Sequence, residues 1–234
     1  MTQTASYTIE HPQNGSASDL AASVYDLVCR TDFSKPGFAL VRQRHVFDSR
    51  KHRAELVALK EALSSLHQSK TGLKLGWFTM SRFAQRNTTK LHRDGGPSQS
   101  LLILGYEPST VKSQISMADY SQSAFKLGIT PEELLDRHNP MYEEGKELLD
   151  PFTYILSEFN TSIFQILVVN NSNAIFGNGW QGVLHGAVVE FESSDASRVI
   201  NSTSVCPMQV DEIEEVSDER ILQFLQEDSF GVYK

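Results

Sequence analysis

The run Ile163–Val169, apolar except for Gln165, constrains the chain more than any other stretch. It falls far short of the roughly 18 apolar residues that span a bilayer, and turn-rich sequence from Asn170 to Gly179 ends it. A segment of that length and character reads as a buried strand. Further strand-like runs cover residues 37–46, 73–83, 100–106, 180–191 and 198–205, with turn signals between them. The last two flank a turn at Ser193-Ser194-Asp195 and are expected to pair antiparallel.

Helices are expected on either side of these strands. From Ser18, Leu20, Val24, Leu27 and Val28 repeat at helical spacing until Thr31–Gly37 breaks the pattern. Asp48 or Ser49 can cap a second helix, whose Leu56, Leu59, Leu63 and Leu66 fall three and four residues apart. Between residues 107 and 159 the composition shifts. Helical stretches over 119–127, over 130–137 (Thr130 as cap, Pro131 in the first turn) and from about 143 suggest a helical insert between core strands. Inserts so placed often cover a site as a lid. An acidic segment, 211–219, leads into a short C-terminal helix carrying Ile221, Leu222 and Leu225. Residues 1–15 read as a flexible tail and 16–234 as a single domain. The expected class is mainly β with flanking helices (α+β), a barrel or sandwich with helices on one side.

Composition narrows the compartment and the partners. A chain of 234 residues, 40% hydrophobic, can bury a full core without disulfide staples. Cys29 and Cys206 stand far apart, as expected for structural thiols in a reducing compartment. Residues 1–18 are polar and lack the apolar core of a secretory signal, so a cytoplasmic location is expected. The net charge of −8 is uneven: residues 1–94 carry 14 Lys+Arg against 8 Asp+Glu, and the remainder 7 against 21. The basic N-terminal part can attract small carboxylates. The acidic whole, with no basic-aromatic stripe, argues against nucleic acid as a partner, and no segment suits a membrane.

The chemistry concentrates in Leu91-His92-Arg93-Asp94-Gly95-Gly96-Pro97. On a strand, residues i and i+2 face the same side, so His92 and Asp94 would converge while Arg93 faces away. His185, in the strand-like run Gly182–Val189, can offer a second imidazole. Two histidines and one carboxylate on one face of an ion form the ligand set for non-haem Fe(II), with positions left open for chemistry. Each piece also has a plainer reading: His92 and Asp94 as a surface pair, His185 as a core histidine bonded to a carbonyl. Arg198 lies on the next strand-like run. Facing inward it needs an anion, which a ligand carboxylate can supply bidentately; facing outward it is an edge-strand surface arginine.

In that order, His92-x-Asp94, His185 and Arg198 resemble the Fe(II)- and 2-oxoglutarate-dependent dioxygenase family, over roughly residues 37–205. The resemblance implies a double-stranded β-helix, or jelly roll, of the cupin-like kind with helices outside. It implies iron held by His92, Asp94 and His185, and the distal carboxylate of 2-oxoglutarate held by Arg198. It further implies O2 and a small-molecule substrate, such as an amino acid or natural-product precursor, hydroxylated as 2-oxoglutarate becomes succinate. The Ser or Thr often found two residues after that arginine is Ile200 here. Ser202 lies on the same face, but about 13 Å beyond Arg198 along the strand. Candidate substrate contacts are Gly105–Ser109, Asp119 and Tyr120, with Arg82, Gln99, Asn170, Asn171 and Trp180 as further pocket residues. Two rivals stand beside this reading: a cupin-like metalloenzyme that does not use 2-oxoglutarate, which gains if Arg198 points to solvent, and a non-catalytic β-barrel binding domain.

Overall fold

In the computed structural model of the chain, residues 6–189 and 198–233 are described. Local chemistry sets the helix ends. Helix α1 (Ala17–Val28) starts at Ser16, whose hydroxyl accepts from the Ser18 and Asp19 amides. Helix α2 (Ser49–Thr71) starts at Asp48, which accepts from the Lys51 amide, and stops at Gly72 with φ +82°. Thr130 and Glu133 close a capping box on α4 (Pro131–Arg137). Helices α3 (Tyr120–Leu127) and α5 (Glu143–Leu149) flank it in sequence, and α6 (Asp218–Gln226) follows the acidic segment.

The strands form two sheets. The larger runs in the order β1 (Thr8–Glu10), β2 (Phe38–Gln43), β8 (Phe164–Asn170), β5 (Leu101–Tyr106), β10 (Arg198–Met208), β3 (Lys74–Gln85), β11 (Gly231–Tyr233). All its pairs are antiparallel except β1 with β2. The smaller sheet, fully antiparallel, runs β4 (Thr89–His92), β9 (Leu184–Val189), β6 (Ser113–Ala118), β7 (Thr153–Ile155). The result is a strand-rich α/β architecture with flanking helices.

Side-chain alternation along the strands separates the core into layers. Ala39, Val41, Leu101, Ile103, Ile166 and Val168 face α1, α2 and α6, where Val24, Leu56, Leu59, Leu63 and Phe224 meet them. The residues between them, Phe38, Leu40, Leu102, Leu104, Leu167 and Val169, face the smaller sheet and pack on Ile115, Met117 and Ala187. Each fully buried Leu, Val or Ile contributes roughly 1.5–3 kcal/mol. A third cluster joins Ala118 and Leu184 of the smaller sheet to Tyr120, Ala124, Leu134 and Leu149 of the α3–α5 segment.

Four sequence expectations need correction. Residues 8–10, expected within a loose tail, add a parallel strand to β2. The segment 107–159 is not simply a helical insert, because it supplies β6 and β7, two strands of the smaller sheet. Its polar Ser113, Gln114 and Ser116 disguise a strand whose Ile115 and Met117 point inward. The run expected over 180–191 enters the ladder only at Leu184, after the Gln181 and Val183 amides donate to the Arg30 and Asn170 carbonyls. Finally, β10 pairs with β3 and β5, not with β9, which belongs to the other sheet. The expected turn at 193–195 lies outside the described residues.

Asp119 ties the smaller sheet's helical side to α1. It caps α3 through the Gln122 amide and accepts from both terminal nitrogens of Arg30, Nη2 and Nη1, at 2.6 and 2.7 Å. Both side chains are almost fully buried. Asp119→Ala leaves that guanidinium without its counter-charge, so urea unfolding should show a loss of about 3–5 kcal/mol. A loss below 1 kcal/mol would contradict the assignment.

Candidate metal centre

A cavity of about 240 Å³ lies against both sheets. Its wall on the larger sheet is Thr79, Ser81, Phe83 and Gln85 of β3, Leu104 and Tyr106 of β5, and Ile200 and Ser202 of β10. Opposite stand Thr89 and His92 of β4, Ile115 of β6, and His185, Gly186 and Ala187 of β9, with Asp94 beside them. Of the 107–159 segment, Ile115 of β6 lines it, and among the described residues none of α3, α4 or α5 does.

A β-bulge at Phe78 places the polar wall. Thr79 pairs with Ser204 but Trp77 with Val205, which leaves Phe78 as an extra residue on β3. Leu75 and Trp77 therefore share the helix-facing side with Met80, while Thr79, Ser81, Phe83 and Gln85 turn to the cavity.

His92 and His185 are direct partners in the β4–β9 ladder, with ring centroids 4.3 Å apart. Asp94 lies just past the end of β4 rather than within it. Its backbone is held in both directions by fully buried Asn171: the Asp94 amide donates to the Asn171 side-chain oxygen at 3.0 Å, and the Asn171 amide group donates back to the Asp94 carbonyl at 3.1 Å. His92 Nε2 is 3.4 Å from Asp94 Oδ1, and one ligand atom from each of His92, Asp94 and His185 lies within 4.8 Å of the others.

The protonation states suit a cation. His92 Nδ1 is 2.7 Å from the Lys90 carbonyl, which can only accept, so this nitrogen carries a proton and Nε2 is the atom turned to Asp94, where a metal would displace any proton it holds. Burial lowers the His185 pKa to about 4, with His92 adding to the fall and Asp94 opposing it, so the ring is neutral. Its buried Nδ1 has no hydrogen-bond partner among the described residues. Asp94 sits below its ordinary carboxyl value: burial opposes this, but the His92 hydrogen bond, the cation His185 becomes in acid, and the charges of His92 and Arg93 outweigh it. The Asp94 hydrogen bond raises the His92 value against burial. A neutral His185 with an orphaned buried nitrogen, the Nε2 of His92 and the Asp94 carboxylate form a donor set that fits a divalent metal.

Arg198 points inward, 2% exposed. Its Nη1 donates to Gln85 Oε1, and its Cζ stands 4.8 Å from the centre of the Tyr106 ring; both partners line the cavity. No carboxylate among the described residues pairs with it, and Nε and Nη2 have no partner there. Burial pulls its pKa down, with Tyr106 opposing.

The other candidate contacts divide. Tyr106 lines the cavity, and Asn171 holds Asp94 from behind. Asp119 pairs with Arg30, the Tyr120 hydroxyl donates to the Ser172 carbonyl, and Arg82 pairs with Glu107. Gln99 accepts from the Trp180 amide, and Asn170 donates to the Val28 carbonyl. None of these last seven lines the cavity. Gln85, Thr79 and Ser81 are wall residues that the sequence reading did not single out.

Together these features define a strand-rich α/β protein with a His-Asp-His cluster at one cavity and a buried arginine behind two of that cavity's wall residues, Gln85 and Tyr106. No family model matches the chain, and no curated protein does. Among solved structures, it is similar to a provisionally assigned alpha-ketoglutarate dependent 2,4-D dioxygenase from Burkholderia xenovorans. The identity is 13% over 85% of this chain and 92% of the other, with a TM-score of 0.43. Likeness at that level carries no functional information. No helix among the described residues is long and apolar enough to cross a membrane.

Proposed function

We propose that residues 16–234 act as an Fe(II)- and 2-oxoglutarate-dependent oxygenase domain of jelly-roll type, hydroxylating a small molecule such as an amino acid or natural-product precursor. The observation that carries this reading is Arg198: a buried guanidinium whose Nε and Nη2 have no partner among the described residues, and which rests on Gln85 and Tyr106, two residues that line the same cavity as His92, Asp94 and His185. A buried cation is costly unless something anionic meets it. A dicarboxylate bound at the cluster would offer a second carboxylate as the counter-charge Arg198 lacks among the described residues.

In this reading His92, Asp94 and His185 hold the iron. Iron with 2-oxoglutarate and O2 supplies the oxidising power that hydroxylates a C–H bond as the co-substrate is decarboxylated to succinate. The chain's own work is placement. Arg198 donates to the distal carboxylate, with Gln85 and the Tyr106 ring fixing its plane. Ser202, Ser81 and Thr79 line the cavity further along β10 and β3, away from Arg198, so the position of the Ser or Thr missing at Ile200 is not refilled by them. Buried Leu104, Ile115 and Ile200 exclude water. The Lys90 carbonyl fixes the His92 tautomer, and Asn171 fixes the Asp94 backbone.

Titrating 2-oxoglutarate into the anaerobic Fe(II) protein should raise a visible metal-to-ligand absorption band. Folded, iron-loaded protein that shows no band would remove this function and leave a metalloenzyme that does not use 2-oxoglutarate.

A further inference from the structure

Away from the cavity, three ligand-type side chains from three separate elements meet: His11 just after β1, His45 just after β2, and Glu55 on α2. One ligand atom from each lies within 4.8 Å of the other two, and all three residues are partly buried. The His11 and His45 rings stand edge to face, with centroids 5.2 Å apart.

The hydrogen bonds around this cluster have a fixed polarity. His45 Nδ1 is 3.1 Å from the His11 carbonyl, which can only accept, so the proton sits on Nδ1. His45 Nε2 then faces Glu55 Oε1 at 2.9 Å. In a neutral ring these are two lone-pair atoms in contact, and only a proton or a cation between them makes the contact favourable. The other Glu55 oxygen accepts from the Gln43 amide group, and the Gln43 oxygen accepts from His52 Nδ1 at 2.7 Å. Gln43 and His52 are both fully buried, so the carboxylate is oriented by a rigid support of the kind that aims metal ligands. Burial holds His11 below its ordinary imidazole value against the pull of Glu55, with His45 adding to the fall.

We propose that His11, His45 and Glu55 form a second divalent-cation site, a His2Glu site for Zn2+, that clips the N-terminal strand to the β2–α2 corner. Zinc takes imidazole nitrogen and carboxylate oxygen at about 2.0–2.1 Å. Tetrahedral bonds of that length set ligand atoms about 3.3 Å apart, so small side-chain rotations suffice. His11 and His45 also line the neighbouring surface groove, with Glu10, Pro12, Arg44 and Phe47, from which water would complete the coordination.

The test uses the full chain carrying His92→Ala and Asp94→Ala, which disables the cavity cluster, and Zn2+ alone as the probe. Calorimetric titration should find one bound zinc per chain, and zinc should raise the thermal midpoint. Adding His45→Ala should abolish both effects. If that triple variant fails to fold, His11→Ala takes its place, with zinc affinity expected to drop at least tenfold. Absence of zinc binding in the double variant, or binding untouched by His45→Ala and His11→Ala, would leave only a hydrogen-bonded His45–Glu55 pair and overturn the proposal. Neither outcome depends on whether the cavity cluster takes iron.

Discussion

Asp94→Ala should cost at least about 100-fold in Fe(II) affinity, since even outer-shell losses reach that size, and reduce succinate formation from 2-oxoglutarate to background. The fold should survive. Asp94 is held by its backbone, through the paired hydrogen bonds with Asn171, and those remain when the side chain is cut at Cβ. Its carboxylate is partly exposed and, among the described residues, contacts only His92 within ion-pair distance. Contacts of that kind are worth about 0–1 kcal/mol, so the urea midpoint should hardly move. Without the carboxylate, two neutral imidazoles remain, and the charge that favours a dication is gone. Anaerobic iron titration and a coupled succinate assay read the two effects, with circular dichroism as the check on folding. Iron affinity and turnover at the wild-type level would show that the His-Asp-His convergence is a surface pair beside a core histidine.

Much of the architecture was legible because it rests on local chemistry. Asp48, Thr130 and Asp119 mark helix starts by the side-chain oxygens they bring to free amides, and Ile163–Val169 announces a central strand by being apolar on both faces. The parts that escaped depend on partners distant in sequence. The strand β6 hides because Ser113, Gln114 and Ser116 spread polarity across a six-residue stretch, and only the packing of Ile115 and Met117 on the other sheet makes it a strand. The cavity wall on β3 hides for another reason. A period-2 reading from Leu75 through Trp77 assigns Thr79 and Ser81 to the helix side, and the bulge at Phe78 reverses that assignment. Nothing local to Phe78 signals the bulge; it is set by the ladder with β10. His92 and His185 were visible as ligand types, but their pairing rung by rung belongs to the β4–β9 register. Asn171 was named as a pocket residue, yet its work on the Asp94 backbone needs the β8 end and the segment after β4 to meet.

Arg198→Met should move stability and co-substrate affinity in opposite directions. Methionine keeps the length of the side chain without the charge, and it adapts to irregular space. What is removed is a buried guanidinium with Nε and Nη2 unpartnered among the described residues, a desolvation cost of several kcal/mol for an ion even after relaxation. What is lost is the bond to Gln85 and the contact with the Tyr106 ring, each about 1 kcal/mol. Gln85 borders the cavity, so water can replace its lost partner. The balance is a gain of about 1–3 kcal/mol in unfolding free energy, measurable as a higher urea midpoint. Charge-assisted bonds to a carboxylate contribute about 1.5–3 kcal/mol each, so losing two should weaken 2-oxoglutarate binding at least about 100-fold, read as a shift in the anaerobic titration. Iron loading should be unchanged, because Arg198 is not among the three clustered donors. A variant that instead unfolds more easily and binds 2-oxoglutarate as before would make Arg198 a structural residue. A stability gain paired with lost co-substrate affinity is what a cation kept buried for an incoming anion must produce.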